Sequence, residues 1–384
     1  MTANTAMNKE TIMENLSTAD EADTSNVAEE KTLPEKSTKK SDGGTKLSIR
    51  IINFLELIGF TWFIPFVRLF SGESPVEQVK EIFKQIGIPV VAFIVFLMLW
   101  DWSASKVQTS LGAIPGPAAV WEETKLLAAD HYKEKEKEKA FYERQEKRNA
   151  KKLEKNPDAV IKIRPYTGKP TYPQQIMTSL KTVFAGFILA TIIAVPVGIF
   201  CGLSPLINSA LNPLIQIFKP VSPLAWLPIV TLIVSALYVV DGEASFSKSF
   251  LVSAITVTLC SLWPTLINTA VGVSSIDKDL MNVSKVLNLG WWKTVTKIVL
   301  PSSLPLIFTG LRLSLGVGWM VLIAAEMLAQ NPGLGKFVWD EFQNGSSHSL
   351  GKIMVAVFTI GIIGFLLDRI MLTLQKYFSF GEAM

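Results

Sequence analysis

The chain has 384 residues, 49% of them apolar and 18% charged, and a formal net charge of +4. Its two cysteines, Cys201 and Cys260, lie in apolar runs, and its two histidines lie far apart, so a disulfide framework, a metal site or a Ser-His-Asp site is hard to build. We therefore expect no catalytic residue, metal or cofactor. Several apolar runs approach or exceed the roughly 20 residues needed to cross a bilayer. The composition indicates an all-α polytopic membrane protein.

The N-terminal part of the chain carries two different patterns. Residues 1–47 are rich in Ser, Thr, Glu and Lys, which predicts a disordered cytoplasmic tail, and they lack the apolar stretch and cleavage site of a signal peptide. Residues 48–80 contain a short apolar stretch, Leu57–Val67, bounded by Glu56 and Arg68. This length favours an amphipathic helix lying in the membrane interface, and a span over 51–70 is the alternative.

A first transmembrane helix is predicted at 81–102, followed by a charged extracytoplasmic insert at 103–175. Within the insert, Trp121–Lys155 carries many Glu and Lys residues three or four positions apart, which predicts a solvated surface helix. Its 11 basic residues between Trp121 and Asn156 are offset by 9 acidic ones, so we expect no nucleic-acid partner.

Residues 176–375 form the predicted transmembrane core. Three of its apolar runs carry no charge, and two more are interrupted or ended by charged residues: Thr182–Leu203, Pro220–Val240, Phe250–Val273, 299–325 with Arg312, and Ile353–Leu374 with Asp368 and Arg369. With six spans and a cytosolic N-terminus, the 276–298 loop and the 376–384 tail face the cytosol. The lysines of that loop agree with the positive-inside tendency.

The segment from Lys219 to Pro223 breaks one of these spans. Proline removes a backbone donor, so a second half-helix would begin near Ser222, which can cap it. Its free N–H groups and positive end would then face a small anion near mid-membrane. The alternative is a simple proline kink, with Lys219 reaching to the inner headgroups.

Arg312 is the other charge predicted within the membrane. A buried ionisable residue of this kind is by default a functional candidate. It either screens a passing anion or pairs with Asp368 near the inner end of the last span. Glu326 lies too near the outer end of its span to be a ligand at the midplane.

No phosphate-binding loop is present, since each Gly-Lys pair lacks the preceding glycine and the following Ser or Thr. A transporter without a nucleotide site is either ion-coupled or the partner of a separate ATPase. The spans hold few ionisable groups, and this favours the ATPase partnership. A non-transporting scaffold is a third possibility.

The stretch Asn282–Pro301 resembles the cytoplasmic loop of binding-protein-dependent ABC importer permeases. With Leu300 and Pro301 as the anchor, that family's Glu-Ala-Ala trio falls on Asn282–Ser284 and its glycine on Asn288. Neither the glutamate nor the glycine is present, and Asn is the residue that next best tolerates a left-handed backbone. The stretches Ile307–Leu328 and Asn331–Trp339 are most similar to the nitrate, sulfonate, taurine and bicarbonate branch, with nitrate permeases nearest. The resemblance covers roughly residues 85–375, and the charged stretch 121–165 and the N-terminus lie outside it.

The resemblance implies an ABC importer permease (MetI-like) fold with about six transmembrane helices. It implies an inner-membrane subunit that works as a homodimer with separate ATPase subunits and an extracytoplasmic solute-binding protein. Trp291 and Trp292 then suit a groove on the ATPase, although tryptophans also rest at lipid headgroups. The implied coupling residues are Asn282, Val283, Ser284, Leu287, Asn288, Gly290, Trp291, Trp292 and Pro301, and the candidate path residues are Lys219, Ser222 and Arg312.

The expected cargo is a small anion, with nitrate first. Bicarbonate, cyanate, taurine and alkanesulfonates are the alternatives within the same role. An ion-coupled secondary carrier is the competing class.

Overall fold

The computed structural model describes residues 48–52, 55, 61–72, 74–109, 112–156, 161, 163–238, 246–346 and 348–379. The predicted tail 1–47 and the last residues, 380–384, lie outside these ranges. Within them the only strands are β1 (Gln108–Thr109) and β2 (Gly112–Ala113), which pair antiparallel.

Everything else of regular structure in the described residues is helical. The α-helices are α1 (Ile64–Phe70), α2 (Pro75–Ile82), α3 (Ile88–Ala104), α4 (Pro117–Lys155), α5 (Tyr172–Leu203), α6 (Pro205–Phe218), α7 (Pro223–Leu237), α8 (Lys248–Ser274), α9 (Lys278–Val286), α10 (Trp291–Thr294), α11 (Leu300–Ala329), α12 (Leu334–Asn344) and α13 (Ser349–Ser379). A 3-10 turn at Thr61–Phe63 precedes α1, and π-helical segments at Phe83–Gly87 and Val295–Val299 join α2 to α3 and α10 to α11.

Five helices or joined helices are long and apolar enough to cross a membrane: Pro75–Ala104, Tyr172–Leu203, Lys248–Ser274, Trp291–Ala329 and Ser349–Phe378. The pair α6 and α7 makes a sixth span if it is counted as one broken crossing. The prediction of about six spans in an all-α membrane protein is confirmed. The first span begins at Pro75, earlier than the expected boundary at 81. The alternative span over 51–70 falls partly outside the described residues, and α1 has only 7 residues, too few to cross.

Helix α8 lies at the centre of the bundle, packed along both α5 and α11. Close approach depends on small residues: a Cβ at Gly186 of α5 would lie 2.6 Å from the carbonyl oxygen of Ala254 on α8. Hydroxyl groups then link the helices, with Thr258 Oγ1 donating to the carbonyl of Gly186 at 3.1 Å. Such contacts replace the hydrophobic effect as the force between helices in lipid.

The two ends of the bundle can be told apart by what α5 touches. The ring of Tyr172, in its first turn, packs 4.9 Å from Phe337 of α12, beside the start of α4. The ring of Phe200, in its last turn, stacks 5.7 Å from Trp291. The charged helix α4 and the 276–298 loop therefore lie at opposite ends of the bundle, as the predicted topology requires.

Helix α4 is solvated only over part of its length. Its first turns bury Val120 and Leu127 against α12 and α13, and the buried Glu123 carboxylate lies 2.5 Å from Nδ1 of His348. Further along, the Tyr166 hydroxyl donates to Glu134 at 2.7 Å, which together with Lys137 holds the pKa of that carboxyl below its usual value. The predicted surface helix is therefore packed against the bundle through its first turns.

Candidate coupling surface and solute path

The 276–298 loop is a well-formed helical hairpin. The Asp277 carboxylate caps α9 by accepting from the backbone N–H of Asp279 at 2.9 Å. At the other end Asn288 has φ +50°, its N–H donates to the carbonyl of Lys285, and the N–H of Leu289 donates to that of Ser284. These two bonds form a Schellman motif, which needs a left-handed residue at that position. The prediction that Asn288 takes over the backbone role of glycine is confirmed.

The second half of the hairpin is bound firmly to the bundle. Val295 and Val299 are buried against Ile199 at the end of α5 and Val273 at the end of α8. Trp291 also stacks on Phe200, with an angle of 12° between the rings. Motion of the hairpin must therefore involve the C-terminal ends of α5 and α8.

The face of the hairpin that points away from the bundle exposes large apolar side chains. Val286 is 85% exposed, Leu287 63% and Trp292 72%. The same hairpin carries four exposed lysines, namely Lys278, Lys285, Lys293 and Lys297. Large apolar side chains exposed together with charged ones on one short hairpin are typical of a protein interaction site.

The predicted coupling residues do not all contribute to this face. Ser284 is buried, and its hydroxyl donates to the carbonyl of Met281 at 2.7 Å. Pro301 is half-buried at the start of α11. The exposed members are Asn282, Val283, Leu287, Asn288, Gly290, Trp291 and Trp292.

The predicted break in the span is present, with α6 and α7 bent by 100°. Lys219 ends α6, and Ser222 begins α7 by accepting from the N–H of Leu224 at 3.3 Å. The predicted cap is therefore confirmed. Lys219 is exposed and has no carboxylate partner among the residues that the structure describes.

Arg312 is paired. Its Nε and Nη2 atoms donate to the two carboxylate oxygens of Asp368 at 2.5 and 2.8 Å, and the predicted pairing is thereby confirmed. The half-buried pair lines a groove between α11 and α13 with Gly316 and Met320. Lys219 lines a different crevice, between α6 and α8. The structure does not bring Arg312 and Lys219 together.

A polar cluster around Glu326 escaped the sequence reasoning. The carboxylate is fully buried and accepts from the Ser179 hydroxyl at 2.8 and 2.9 Å and from the backbone N–H of Gly335 at 3.0 Å. A Cβ at Gly335 would lie 2.1 Å from the carbonyl oxygen of Ile323. Glu326 thus holds the 331–335 turn against the C-terminal end of α11. The signal available in the sequence was a lone carboxylate in an apolar run, followed by two closely spaced glycines.

No group of three or more His, Cys, Asp or Glu side chains that could hold a metal ion is found in the described residues. The spanning helices and the broken sixth span define a polytopic membrane protein, and the 276–298 hairpin exposes apolar side chains at one end of its bundle.

Comparison with known proteins assigns this class to a family. The sequence profile of the family "Binding-protein-dependent transport system inner membrane component" matches residues 194–380. The bicarbonate transport system permease protein CmpB of Synechocystis sp. is 32% identical over 317 residues, covering 81% of this chain and 96% of CmpB. The nitrate import permease protein NrtB of Leptolyngbya laminosa is 37% identical over 196 residues, covering 51% of this chain and 65% of NrtB.

The chain belongs to the family of inner-membrane components of binding-protein-dependent transport systems. It is a multi-pass inner-membrane protein of the nitrate and bicarbonate branch, and its relatives are transport permeases rather than enzymes. The similarity to CmpB covers 81% of the chain and so extends beyond the expected limits of 85–375.

Proposed function

We propose that this chain is the permease subunit of an ATP-driven importer for a small oxyanion, with nitrate the first candidate and bicarbonate the second. Taurine, alkanesulfonates and cyanate are further candidates for the same role. The observation that carries the proposal is the apolar patch on the inner hairpin of a chain that belongs to this transport family.

The hairpin supports ATP-driven rather than ion-driven transport. Its exposed apolar patch suits a groove on a separate ABC ATPase subunit, because buried aromatic side chains dominate such interfaces. Its inner side is packed against α5 and α8. Closure of the ATPase subunits would then pull on the hairpin and change access to the solute path.

The cargo proposal rests on the relatives and on the broken span. Curated relatives carry both nitrate and bicarbonate in their names. In this chain Lys219 supplies a positive charge beside the break, and Ser222 starts the half-helix whose positive end faces it. Arg312 contributes less, since its charge is neutralised by Asp368. We therefore assign the anion path to Lys219 and Ser222.

A second copy of the chain would complete the path. Gly316 of α11 and Gly361 of α13 face open space, beside the exposed side chains of Leu313 and Met320. Close-packed helices in membranes use such small residues. A homodimer would cover this face, and solute released by an extracytoplasmic binding protein would cross between the two copies.

The domain limits follow the same proposal. Because the first spanning helix begins at Pro75, the interfacial region shortens to 48–74. The other limits are proposed as the sequence predicts them: an extracytoplasmic insert at 103–175, a core at 176–375 and cytoplasmic tails at 1–47 and 376–384.

Uptake in vesicles tests the function directly. Vesicles holding this chain with its ATPase and binding protein should accumulate labelled nitrate or bicarbonate only when ATP is present. An ATPase variant unable to hydrolyse ATP is the matched control. Accumulation by the chain alone, driven by an ion gradient, would refute the proposal in favour of a secondary carrier.

A further inference from the structure

A row of amide side chains extends along α6 towards Lys219. Asn208, Asn212 and Gln216 follow at intervals of four residues, and Lys219 comes three residues later, so all four share one face of the helix. All four are exposed, and all four line the same cavity of ≈ 260 Å³ between α6 and the inner end of α8. The α8 side of this cavity is mostly apolar and is formed by Leu266, Ile267, Ala270, Val271 and Ser274.

The opposite face of α6 is of a different kind. Leu206, Leu214 and Ile217 are exposed there and are all apolar, as lipid contact requires. Amide side chains are costly to place in hydrocarbon, and within spans they turn towards protein or water. The amide row therefore supplies the polar side of the cavity beside α8, while the apolar face meets the lipid.

The chemistry of the row is that of an anion site. The segment Pro205–Leu237 carries one lysine and no aspartate or glutamate. A cation entering the cavity would meet a positive charge with no carboxylate in these two helices to balance it. An anion would meet the ammonium group of Lys219 and the N–H donors of three carboxamides.

We propose that Asn208, Asn212 and Gln216, together with Lys219, form a binding row for a small oxyanion on its way through the inner half of the membrane. This inference rests on the proposed function and names the residues that select the cargo. Successive amides lie ~6 Å apart along the helix axis, so one ion can pass between neighbouring donors without losing all of its hydrogen bonds. The side chains of Gln216 and Asn212 already approach to 3.4 Å. The row favours ions with several oxygen acceptors.

Two substitutions of opposite charge at one position test the row. Asn212→Asp places a negative charge beside the path and should raise the KM for uptake at least tenfold, as a close charge in a partly shielded site does. Asn212→Lys should lower the KM about threefold by the same interaction. A purely structural role would make both variants change uptake in the same direction.

The outcomes separate the two proposals. If the wild-type transporter imports nitrate or bicarbonate and both variants leave the KM unchanged, the amide row is wrong and the proposed function stands. If the wild-type transporter imports no oxyanion, both fail.

Cysteine accessibility tests the row without any partner protein. In a Cys201→Ser background, which removes the thiol lining the cavity, Asn212→Cys should react with an anionic, membrane-impermeant methanethiosulfonate, and nitrate should slow the reaction. Ile217→Cys, on the apolar face of the same helix, is the matched control and should not react. If neither cysteine reacts with the reagent, Asn212 faces lipid, and the inference is overturned.

Discussion

Trp292 offers the sharpest test of the coupling surface. The side chain is 72% exposed, and since a tryptophan presents up to about 250 Å², docking can bury at most about 180 Å² of it. At about 25 cal/mol per Å² this burial is worth at most ~4.5 kcal/mol. Docking also orders the side chain, and alanine retains some contact. We therefore expect Trp292→Ala to weaken binding of the ATPase subunit by about 2–3 kcal/mol, which is about 30- to 150-fold in Kd.

The assay is a binding titration of the purified ATPase subunit against the permease in detergent or nanodiscs. Trp121→Ala is the matched control, because Trp121 is 63% exposed but lies on α4 at the other end of the bundle. The control should leave the Kd unchanged, and both variants should keep the melting temperature of the wild type.

An unchanged Kd for a folded Trp292→Ala variant would refute this reasoning. It would favour the alternative in which the tryptophan rests at the lipid headgroups. In that case the fluorescence of Trp292 should be quenched by brominated lipids and should not respond to the ATPase.

Three further predictions concern the fold. Asn288→Val forces a β-branched residue to φ +50° and should cost about 1–2 kcal/mol of stability. Asn282→Val, within the helix α9 of the same hairpin, should cost well under that. Thermal unfolding in detergent measures the stability of both variants. Gly335→Ala drives a Cβ into the carbonyl of Ile323 and should cost about 2–3 kcal/mol of stability. Gly290→Ala, whose Cβ meets open space, should be close to neutral, and equal melting temperatures for the two variants would contradict this. Arg312→Met should destabilise the protein more than the double variant with Asp368→Leu, with a coupling energy on the order of 1–3 kcal/mol in a double-mutant cycle; simple additivity would show that the pair is not coupled.

Features set by local sequence could be predicted. The apolar runs predicted the spans, the prolines at 220 and 223 predicted the break, and Asn288 predicted the left-handed turn. Each of these features depends on residues that are close together in the chain. The pairing of Arg312 with Asp368 was also reached, since each is a charged residue in an otherwise apolar span and needs a partner.

Features set by distant contacts could not be predicted. Glu326 is held by Ser179, which lies 147 residues away in the chain, and Glu123 by His348, which lies 225 residues away. No local pattern reveals such partners. The inward direction of Ser284 was missed for a related reason. Its position in the loop pattern identifies the residue type, while its burial depends on how α9 sits on the bundle.

The proposed coupling surface and the proposed solute path share two helix ends in this fold. At the end of α5, Ile199 packs against the hairpin while Cys201 lines the cavity beside α6. At the end of α8, Val273 packs against the hairpin while Ser274 lines the same cavity. The C-terminal ends of α5 and α8 therefore pack against the hairpin and also line one side of the proposed path. Because packed interiors shift as units rather than deforming continuously, a partner that displaces the hairpin must also move that side of the path. In the proposed transporter, this shared contact would let a soluble partner act on transport with no longer chain of interactions between the two sites.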